Sequence, residues 1–416
     1  MMRTATIKGR VTAWSVPLAN ELAAFVRSII MARLLGAEEL GKTMLLALVL
    51  RLVEMASDVS FERFMAQVPD GGSARLQANL QGAAVLRGVF LALVLLALAF
   101  PLSQAFTDGP TAGSYAILAL APLIRGFVHL DYRRHERKFS YNRLAVVELG
   151  AAAAMLISTP IFATLLSDYR ALLGVILTHV ISLFVLSHLL SERRYAVAFE
   201  RVVLVRIWHF GAPLILNAGL MFLTFQADRL IVAGYFSWAE LGMYGIALQL
   251  ALLPAQITGR AAASLLAPKF RRAIAAHNLP AAALPSLRTY AGLAGVFLLA
   301  FGLAAGPMIQ TVYGADFSPS QALIWALALG AAIRIARTPI SQLAVSLGRT
   351  DIPFRSNTLR ALAIIPAWAA VAAGAPLFAL ALIAAAGEAV AALRAWSLLK
   401  PYISSTHSSS QKDVFV

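Results

Sequence analysis

Apolar residues run along this chain in stretches of about 20, separated by short segments rich in charged residues, Gly and Pro. An α-helix of that length crosses the roughly 30 Å hydrocarbon core of a bilayer. The pattern therefore predicts an all-α, polytopic membrane protein with about twelve transmembrane helices. The predicted spans are residues 12–34, 43–65, 79–103, 113–130, 144–166, 170–190, 208–234, 239–262, 289–313, 319–344, 359–375 and 377–398.

Composition supports the membrane class and narrows the chemistry. The 416 residues are 60% hydrophobic and 13% charged, whereas soluble domains average about 45–50% and about 25%. The chain has no cysteine and seven scattered histidines, so we expect neither thiol chemistry, nor a metal site, nor a cofactor. It has no GxxxxGK phosphate-binding loop, so energy must come from an ion gradient, the substrate or a partner.

Lys and Arg residues are concentrated in alternate connections, and this asymmetry predicts the orientation. The other set of connections offers only Lys42 and Arg170 as bases. By the positive-inside rule, both termini are expected in the cytoplasm, with residues 401–416 as a short tail. The net charge of +15 then reflects topology and contact with anionic lipids, and no nucleic-acid partner is expected. The basic set comprises the first ten residues, 131–143, 191–206, 269–288 and 348–360.

Two segments of the chain, residues 17–47 and 213–247, resemble each other. Because six predicted spans separate them, both copies have the same orientation in the membrane. This is a parallel internal repeat, and it predicts a six-helix lobe over 1–200 and a second over 201–400, with a substrate site between them. The clearest matches are Pro17-Leu18 with Pro213-Leu214, and Glu39-Leu40-Gly41 with Glu240-Leu241-Gly242.

Three phrases, ARLLGAEELG, FGAPLILNAGL and ADRLIVAGYFSWAELGMYGIALQLALLP, resemble the Wzx-type polysaccharide transporters of the multidrug/oligosaccharidyl-lipid/polysaccharide (MOP) flippase superfamily. The resemblance implies two lobes around a cavity that opens alternately to each side. Its usual cargo is a polyprenyl-diphosphate-linked oligosaccharide, moved to the outer leaflet of the bacterial inner membrane for lipopolysaccharide or exopolysaccharide synthesis. We expect a monomer among membrane lipids, and leave open coupling to H⁺ or Na⁺ and contact with polysaccharide assembly proteins.

The second predicted span carries four ionisable residues. At 100° per residue, Arg51, Glu54, Asp58 and Glu62 fall within about 80° of one another on a helix. Each would cost about 2.5–3.5 kcal/mol at the bilayer centre if it faced lipid, so the face should contact protein or water. Glu54 and Asp58 are candidates for ion coupling or gating, with a structural ion pair as the alternative for both. Arg51 and Glu54, three residues apart, can also pair locally.

Most intramembrane bases are Arg, whose planar fork suits bidentate contact with a diphosphate. The candidates for substrate binding are Arg27, Arg51, Arg260 and Arg334. The resemblance supports the first three, because flippases of this family often use arginines in the first, second and eighth spans. Snorkelling to the membrane surface is the alternative for Arg260.

Three acidic residues deserve notice in other spans. Asp228, beside Arg229, matches an acidic position common in the family's seventh span, and serves either packing and gating or ion coupling. Glu148 and Glu388 are acids without an evident partner in the sequence.

Two other functions fit the sequence less well. A cation-coupled drug exporter of the same superfamily would favour acidic residues, but outside the second span the interior has more Arg than acid. A membrane glycosyltransferase or polymerase could use Glu38 and Glu39 as carboxylates for acid/base chemistry. Their connection is too short to build such a site, so we expect a transporter and not an enzyme.

Overall fold

The computed structural model describes residues 7–57 and 60–404, and every regular element in these ranges is helical. The first half contains α1 (Ile7–Met55), α2 (Phe61–Gln67), α3 (Ala74–Ala105), α4 (Ala112–Leu118), α5 (Leu120–Gly126), α6 (Asp131–Arg134), a 3-10 helix (His135–Lys138), α7 (Asn142–Leu166) and α8 (Ala171–Leu189). The second half contains α9 (Arg201–Tyr235), α10 (Trp238–Ala275), α11 (Leu279–Tyr313), α12 (Gln321–Ser346), α13 (Asp351–Leu362), α14 (Ile364–Ala372) and α15 (Leu377–Ser404).

The predicted all-α, polytopic class is confirmed. Among the described residues, seven helices are long and apolar enough to cross a membrane, namely α3, α7, α8, α10, α11, α12 and α15. An eighth span results if Ala112–Gly126 and Asp131–Lys138, bent by 49°, are counted as one. The remaining predicted spans lie on α1, α9 and the α13–α14 pair.

The first predicted span and residues 43–55 of the second lie on one helical stretch, α1, which bends at Gly36. Gly36 has a φ of 79°, a left-handed value that glycine adopts without steric cost. One turn later, a Cβ on Gly41 would overlap the carbonyl oxygen of Trp238, and a Cβ on Gly242 would overlap that of Ala37. The two Glu-Leu-Gly copies therefore meet reciprocally. Only glycine permits this backbone approach, which gives the repeated motif a packing reason.

The prediction of one continuous span over 43–65 is wrong, because α1 ends at Met55. Arg87 closes this end, its Nη2 donating to the Glu54 carbonyl at 2.8 Å and its Nε to Ser57 Oγ at 3.0 Å. A cation that donates to terminal carbonyls stabilises the C-terminus of a helix. The shared helical face predicted for Arg51, Glu54 and Glu62 is therefore also wrong, since Glu62 lies on α2. Asp58 lies outside the described residues.

Two predicted connections are largely helical. In the 348–360 connection, α13 begins at Asp351 and places Arg360 on a buried helical position. In the 269–288 connection, α10 continues to Ala275 and α11 begins at Leu279. His277, with a φ of 51°, lies in the short turn between them. Hydrophobic periodicity missed these segments because their charged residues share helices with the apolar spans.

The chain divides into two compact units, and each has its own apolar core. Unit 1 comprises Met1–Phe222 and Ser237–Gly242, and unit 2 comprises Leu223–Phe236 and Met243–Val416. Phe64 and Leu80 are among the buried core residues of unit 1, and Phe270 and Leu399 among those of unit 2. The predicted lobe boundary at residue 200 stays a prediction.

The connection between α8 and α9 lies along α3 within unit 1. Ala198 N donates to Ala78 O at 3.0 Å, and Glu200 N donates to Asn79 Oδ1 at 2.7 Å. Arg75 donates from Nε to both carboxylate oxygens of Glu200 at 2.9 Å. The hydrogen bonds from Arg75 and then Asn79 lower the pKa of Glu200 to about 2.

Candidate functional site

Unit 2 contains a membrane-embedded cavity with about 110 Å³ of water-accessible space. Aliphatic side chains such as Leu248, Leu327 and Leu380 form most of its wall. Four charged side chains also line it, namely Asp228, Arg334, Arg360 and Glu388. A mostly apolar pocket with a few convergent polar groups is the usual form of a ligand site.

Three arginines of unit 2 converge on one carboxylate. Arg360 Nη1 donates to Glu388 Oε1 at 2.7 Å, and Arg334 Nε lies 3.9 Å from the same oxygen. Arg337 Nη2 lies 3.5 Å from Glu388 Oε2 and donates to Asn357 Oδ1 at 3.2 Å. We call Arg334, Arg337, Arg360 and Glu388 the arginine-rich cluster. With all groups ionised it carries three positive charges and one negative charge, a net +2.

The arginine-rich cluster is buried. The side chain of Arg360 is 7% exposed, that of Arg337 10% and that of Glu388 11%. Arg334 and Glu388 also lie near the middle of α12 and α15, far from the ends of these membrane helices. Desolvating charges costs several kcal/mol per ion unless they are well paired. Buried intramembrane charge in excess of its counterions therefore indicates a functional site.

The ring of Phe225, on α9, orients two of these arginines. Arg360 Cζ lies 4.2 Å and Arg334 Cζ 4.6 Å from the ring centroid. A guanidinium within about 6 Å of a ring centroid makes a favourable cation–π contact. Phe225 therefore holds both guanidinium groups against the cavity wall.

Asp228 adds a second carboxylate to this cavity. Its Oδ2 accepts a hydrogen bond from Tyr244 OH at 2.7 Å, and its Oδ1 accepts one from the backbone N of Arg229 at 2.9 Å. The Arg229 side chain instead donates from Nη1 to Gln226 Oε1 at 2.5 Å. In the cavity wall, two arginines and two carboxylates therefore balance, and Arg337, outside the wall, supplies the third positive charge of the arginine-rich cluster.

Gly387 places Glu388 beside Arg360. A Cβ on Gly387 would lie 2.7 Å from the Cβ of Ala363 and 3.6 Å from the carbonyl oxygen of Arg360. Ala363 is the junction at which α13 ends and α14 begins. The missing side chain therefore lets α15 approach this junction closely, which brings the next residue, Glu388, within hydrogen-bonding distance of Arg360.

Unit 1 has a second charged cavity, with about 70 Å³ of water-accessible space. Arg133 Nη2 donates to Glu148 Oε1 at 2.7 Å, and Arg125 Nη1 donates to Glu54 Oε1 at 3.2 Å. Arg133 Nε also lies 3.7 Å from Glu62 Oε1. The charged residues that line this cavity, which we call the balanced cluster, are Glu54, Glu62, Arg87, Arg125, Arg133 and Glu148. Three positive and three negative charges cancel in it.

The predicted site residues fall into different places. Arg334 and Asp228 line the unit 2 cavity, and Glu54 lines the unit 1 cavity. The other three, Arg27, Arg51 and Arg260, are described residues that line neither of these two cavities. Arg27 is half-buried, with Nη1 3.5 Å from Met155 Sδ, whereas Arg51 and Arg260 are exposed. Their roles stay predictions, as does that of Asp58.

Sequence reasoning missed Arg337 and Arg360. The spacing of Arg334 and Arg337, three residues apart, could have indicated a shared face of α12. Arg360 was hidden because it was placed in a connection. Glu388 was noted as an acid without an evident partner, and its three partners lie on α12 and α13, distant in sequence.

The Glu38-Glu39 pair has a structural explanation. Lys42 Nζ lies 2.9 Å from Glu38 Oε1 and 2.7 Å from Glu39 Oε1. Glu39 Oε2 also accepts a hydrogen bond from Tyr169 N at 2.7 Å. These contacts use both carboxylates to hold the start of the second predicted span.

A group of possible metal ligands, Asp131, His135 and Glu192, is likewise occupied by arginines. Arg134 Nε lies 2.7 Å from Asp131 Oδ1, and Arg143 Nη2 lies 2.6 Å from Glu192 Oε1. Guanidinium groups therefore neutralise these two carboxylates. The arrangement is an ion-pair network at the ends of α6 and α8.

Similar solved structures define the fold class. "Lipid II flippase MurJ, inward closed conformation" has a TM-score of 0.73 and 15% identity, over 95% of this chain and 88% of that one. An inward-facing multidrug resistance MATE family transporter of the MOP superfamily has a TM-score of 0.69 and 14% identity, over 96% and 99%. The Vibrio cholerae MATE transporter VcmN in the bent form has a TM-score of 0.54 and 14% identity, over 96% and 97%. The fold is thus that of MOP-superfamily transporters.

The family follows from the sequence itself. The family model described as polysaccharide biosynthesis protein matches residues 30–322, and the chain belongs to this family. No curated protein matches the chain. The resemblance to polysaccharide transporters of the MOP superfamily is therefore confirmed.

Proposed function

We propose that this protein is a flippase that moves a polyprenyl-diphosphate-linked oligosaccharide from the cytoplasmic to the outer leaflet of a bacterial inner membrane by alternating access. The observation that carries the proposal is the arginine-rich cluster, in which three largely buried arginines surround one carboxylate and two of them line the unit 2 cavity. Membership of a polysaccharide biosynthesis family supports a glycan as cargo. The similarity to a structure named as a lipid II flippase supports a lipid-linked one.

The chemistry of the cavity suits the head of such a cargo. A diphosphate carries several acceptor oxygens, and guanidinium groups bind phosphate oxygens with pairs of parallel hydrogen bonds. In a low-dielectric wall these contacts are stronger than they are in water. Arg334 and Arg360, held by Phe225, are the groups that contact the diphosphate in this proposal. The polyprenyl tail stays in the surrounding lipid, so it crosses the membrane without leaving an apolar environment.

A drug exporter of the same fold is the second candidate, since MATE transporters are also structural neighbours. The sign of the charge separates the two functions. A cationic drug in the unit 2 cavity would face a wall in which two guanidinium groups and two carboxylates balance, with a third guanidinium, that of Arg337, 3.5 Å from Glu388. An anionic head group would be attracted to the three arginines that share Glu388, which favours the flippase.

Coupling to an ion gradient is part of the proposal. Glu54, Asp58 and Asp228 are the acidic residues we assign to H⁺ or Na⁺ coupling or to gating. Of these, Asp228 accepts a hydrogen bond from Tyr244 OH at 2.7 Å. The basic connections support an orientation in which both termini are cytoplasmic.

Reconstitution into vesicles tests the function. The purified chain is incorporated with a lipid-linked oligosaccharide, and a lectin that cannot cross the membrane reports exposure of the sugar on the opposite leaflet. We expect exposure to depend on the protein and to respond to an imposed pH, Na⁺ or voltage gradient. If the protein leaves the sugar inside but exports a cationic dye, the drug-exporter function replaces the flippase.

A further inference from the structure

Glu388 has a distinctive place among the charged side chains of unit 2. Its Oε1 accepts the hydrogen bond from Arg360 at 2.7 Å and lies 3.9 Å from Arg334 Nε. Its Oε2 is buried without a hydrogen-bond partner among the described residues and lies 3.5 Å from Arg337 Nη2. One carboxylate thus faces three guanidinium groups and holds one of them at full hydrogen-bonding distance.

The cluster carries more positive charge than this carboxylate cancels, and Asp228, in the wall of the same cavity, adds one further negative charge. Each guanidinium has five N–H donors, whereas a carboxylate has two oxygens. Asn357 and the ring of Phe225 take part of the remainder. A phosphate group presents more oxygens than a carboxylate and carries a larger negative charge, so it would bridge several of the arginines at once. The surroundings of Glu388 therefore suit a phosphate better than they suit Glu388.

We propose that Glu388 is an internal competitor, a carboxylate that occupies the subsite of a phosphate group while the cavity is unloaded. The identity of the incoming group as the diphosphate of a lipid-linked glycan rests on the proposed function, whereas the subsite itself belongs to unit 2. On loading, Arg360 exchanges its contact with Glu388 for one with a phosphate oxygen. On unloading, the carboxylate returns.

This competition has a consequence for turnover. Three desolvated guanidinium groups without a counterion would hold a diphosphate tightly, and tight binding slows release. Glu388 weakens the net affinity, because the phosphate must displace an anion that is already paired. The carboxylate also keeps the unloaded cluster partly neutral, which lowers the cost of burying three arginines.

Binding of inorganic pyrophosphate tests the competition directly. The full-length wild type and Glu388→Gln are purified in lipid nanodiscs, and pyrophosphate affinity is measured by isothermal titration calorimetry. The amide keeps the size of the side chain and one acceptor oxygen for Arg360 but lacks the negative charge. We expect Glu388→Gln to bind pyrophosphate about tenfold more tightly than the wild type.

The matched control is Glu148→Gln in unit 1. Glu148 is also largely buried, with a side chain 14% exposed, and also lies 2.7 Å from an arginine nitrogen, on Arg133. Glu148→Gln removes the same charge, but Arg133 keeps two other carboxylates, Glu62 and Glu136, so the pyrophosphate affinity should stay within about twofold of the wild type. The double variant Glu388→Gln with Arg360→Gln should not show the increase in pyrophosphate affinity expected for Glu388→Gln. Unchanged or weaker pyrophosphate binding in folded Glu388→Gln overturns the proposal.

Glu388→Asp covers the case in which the glutamine variant does not fold. Its shorter carboxylate keeps the charge but withdraws from Arg360, so pyrophosphate should raise its melting temperature more than that of the wild type. An equal or smaller shift would count against competition.

A flipping assay on the same proteins separates the two proposals. Flipping of a lipid-linked oligosaccharide without any gain of pyrophosphate affinity in Glu388→Gln rejects the competition alone. If Glu388→Gln gains pyrophosphate affinity but the wild type flips no lipid-linked sugar, the proposed function alone is rejected. Sulfate, added in place of pyrophosphate, shows whether the subsite distinguishes a diphosphate from a simple anion. A tenfold gain for sulfate as well would overturn the assignment to phosphate.

Discussion

The two charged cavities of this protein contain the same residue types in different proportions. In the balanced cluster of unit 1, three arginines face three glutamates, and Arg87 also closes the C-terminus of α1. In the arginine-rich cluster of unit 2, three arginines share Glu388. Paired charges can be buried in a membrane protein as structure, whereas a surplus of one sign requires a counterion from elsewhere. Around Glu388 the ratio of arginines to acids is three to one, and this ratio is the basis on which we propose unit 2 as the cargo site.

The burial of the two clusters differs in the same sense. Arg125, which pairs with Glu54, has a side chain that is 53% exposed, whereas Arg360, which pairs with Glu388, is 7% exposed. A half-exposed charge has room to find another partner, whereas a desolvated charge is costly to leave unpaired. Equivalent substitutions in the two clusters should therefore have different consequences, and four experiments test this from the largest expected effect to the smallest.

The largest effect is expected for Arg360→Met. If Arg360 contacts the cargo as proposed, removing its desolvated guanidinium should lower the flipping rate about 100-fold, which corresponds to about 3 kcal/mol. The matched variant Arg125→Met removes a half-exposed partner and should change the rate by about threefold or less. Flipping per folded molecule is measured in vesicles at equal protein density. Similar losses of flipping rate in the two variants would show that the two clusters do not differ in function.

The second effect concerns stability in the balanced cluster. Glu148→Gln removes the charge that pairs with Arg133 at 2.7 Å and leaves the latter with Glu62 and Glu136. We expect a loss of about 2 kcal/mol in the free energy of unfolding, because a partly buried ion loses its nearest counterion. Flipping per folded molecule should stay unchanged. A variant that melts like the wild type but fails to transport would move the cargo site into unit 1.

A smaller effect is expected for Gly387→Ala, which tests whether the close approach of α15 to the α13–α14 junction positions Glu388 in the arginine-rich cluster. The new methyl group would press on Ala363 at the α13–α14 junction and cost about 1 kcal/mol. It should also displace Glu388 and change pyrophosphate affinity. Gly295→Ala on α11 is the control, because nothing lies within 4 Å of its Cβ position. That variant should be neutral or slightly stabilising, since alanine favours helix more than glycine does.

The smallest effect is expected for the Arg75–Glu200 pair, which is exposed and lies outside both clusters. It serves as a reference for the effects of the buried pairs. Arg75 holds the pKa of Glu200 at about 2 in the folded protein, below the ordinary value of 4.5. The stabilisation from this pair is therefore fully present above pH 4.5 and is lost as the pH falls towards about 2. Glu200→Gln should therefore lower stability slightly at neutral pH, where an exposed pair contributes little, and its difference from the wild type should vanish as the pH falls towards about 2. Melting temperatures of both proteins across this range measure the difference, and parallel curves would contradict the pairing.

Much of the fold could be predicted from the sequence, but the site could be predicted only in part. The all-α membrane class followed from the length of the apolar runs, since a helix needs about 20 apolar residues to cross a bilayer. The second span failed as a continuous helix because Arg87, on α3, closes α1 after Glu54. Arg334 and Asp228 were named and do share a cavity, whereas Arg337 and Arg360 were missed. Their positions depend on helix packing that periodicity does not report.

The sequence by itself determined that the chain crosses a membrane many times, because the apolar length of each span is a local property. It also determined the repeated Glu-Leu-Gly motif, whose glycines permit a close helix approach. Only the tertiary structure decided which charges meet. Glu388 and its nearest partner, Arg360, lie on separate helices that the small residues Gly387 and Ala363 bring together. An ion pair between helices depends on distance and desolvation, and the order of residues along the chain specifies neither.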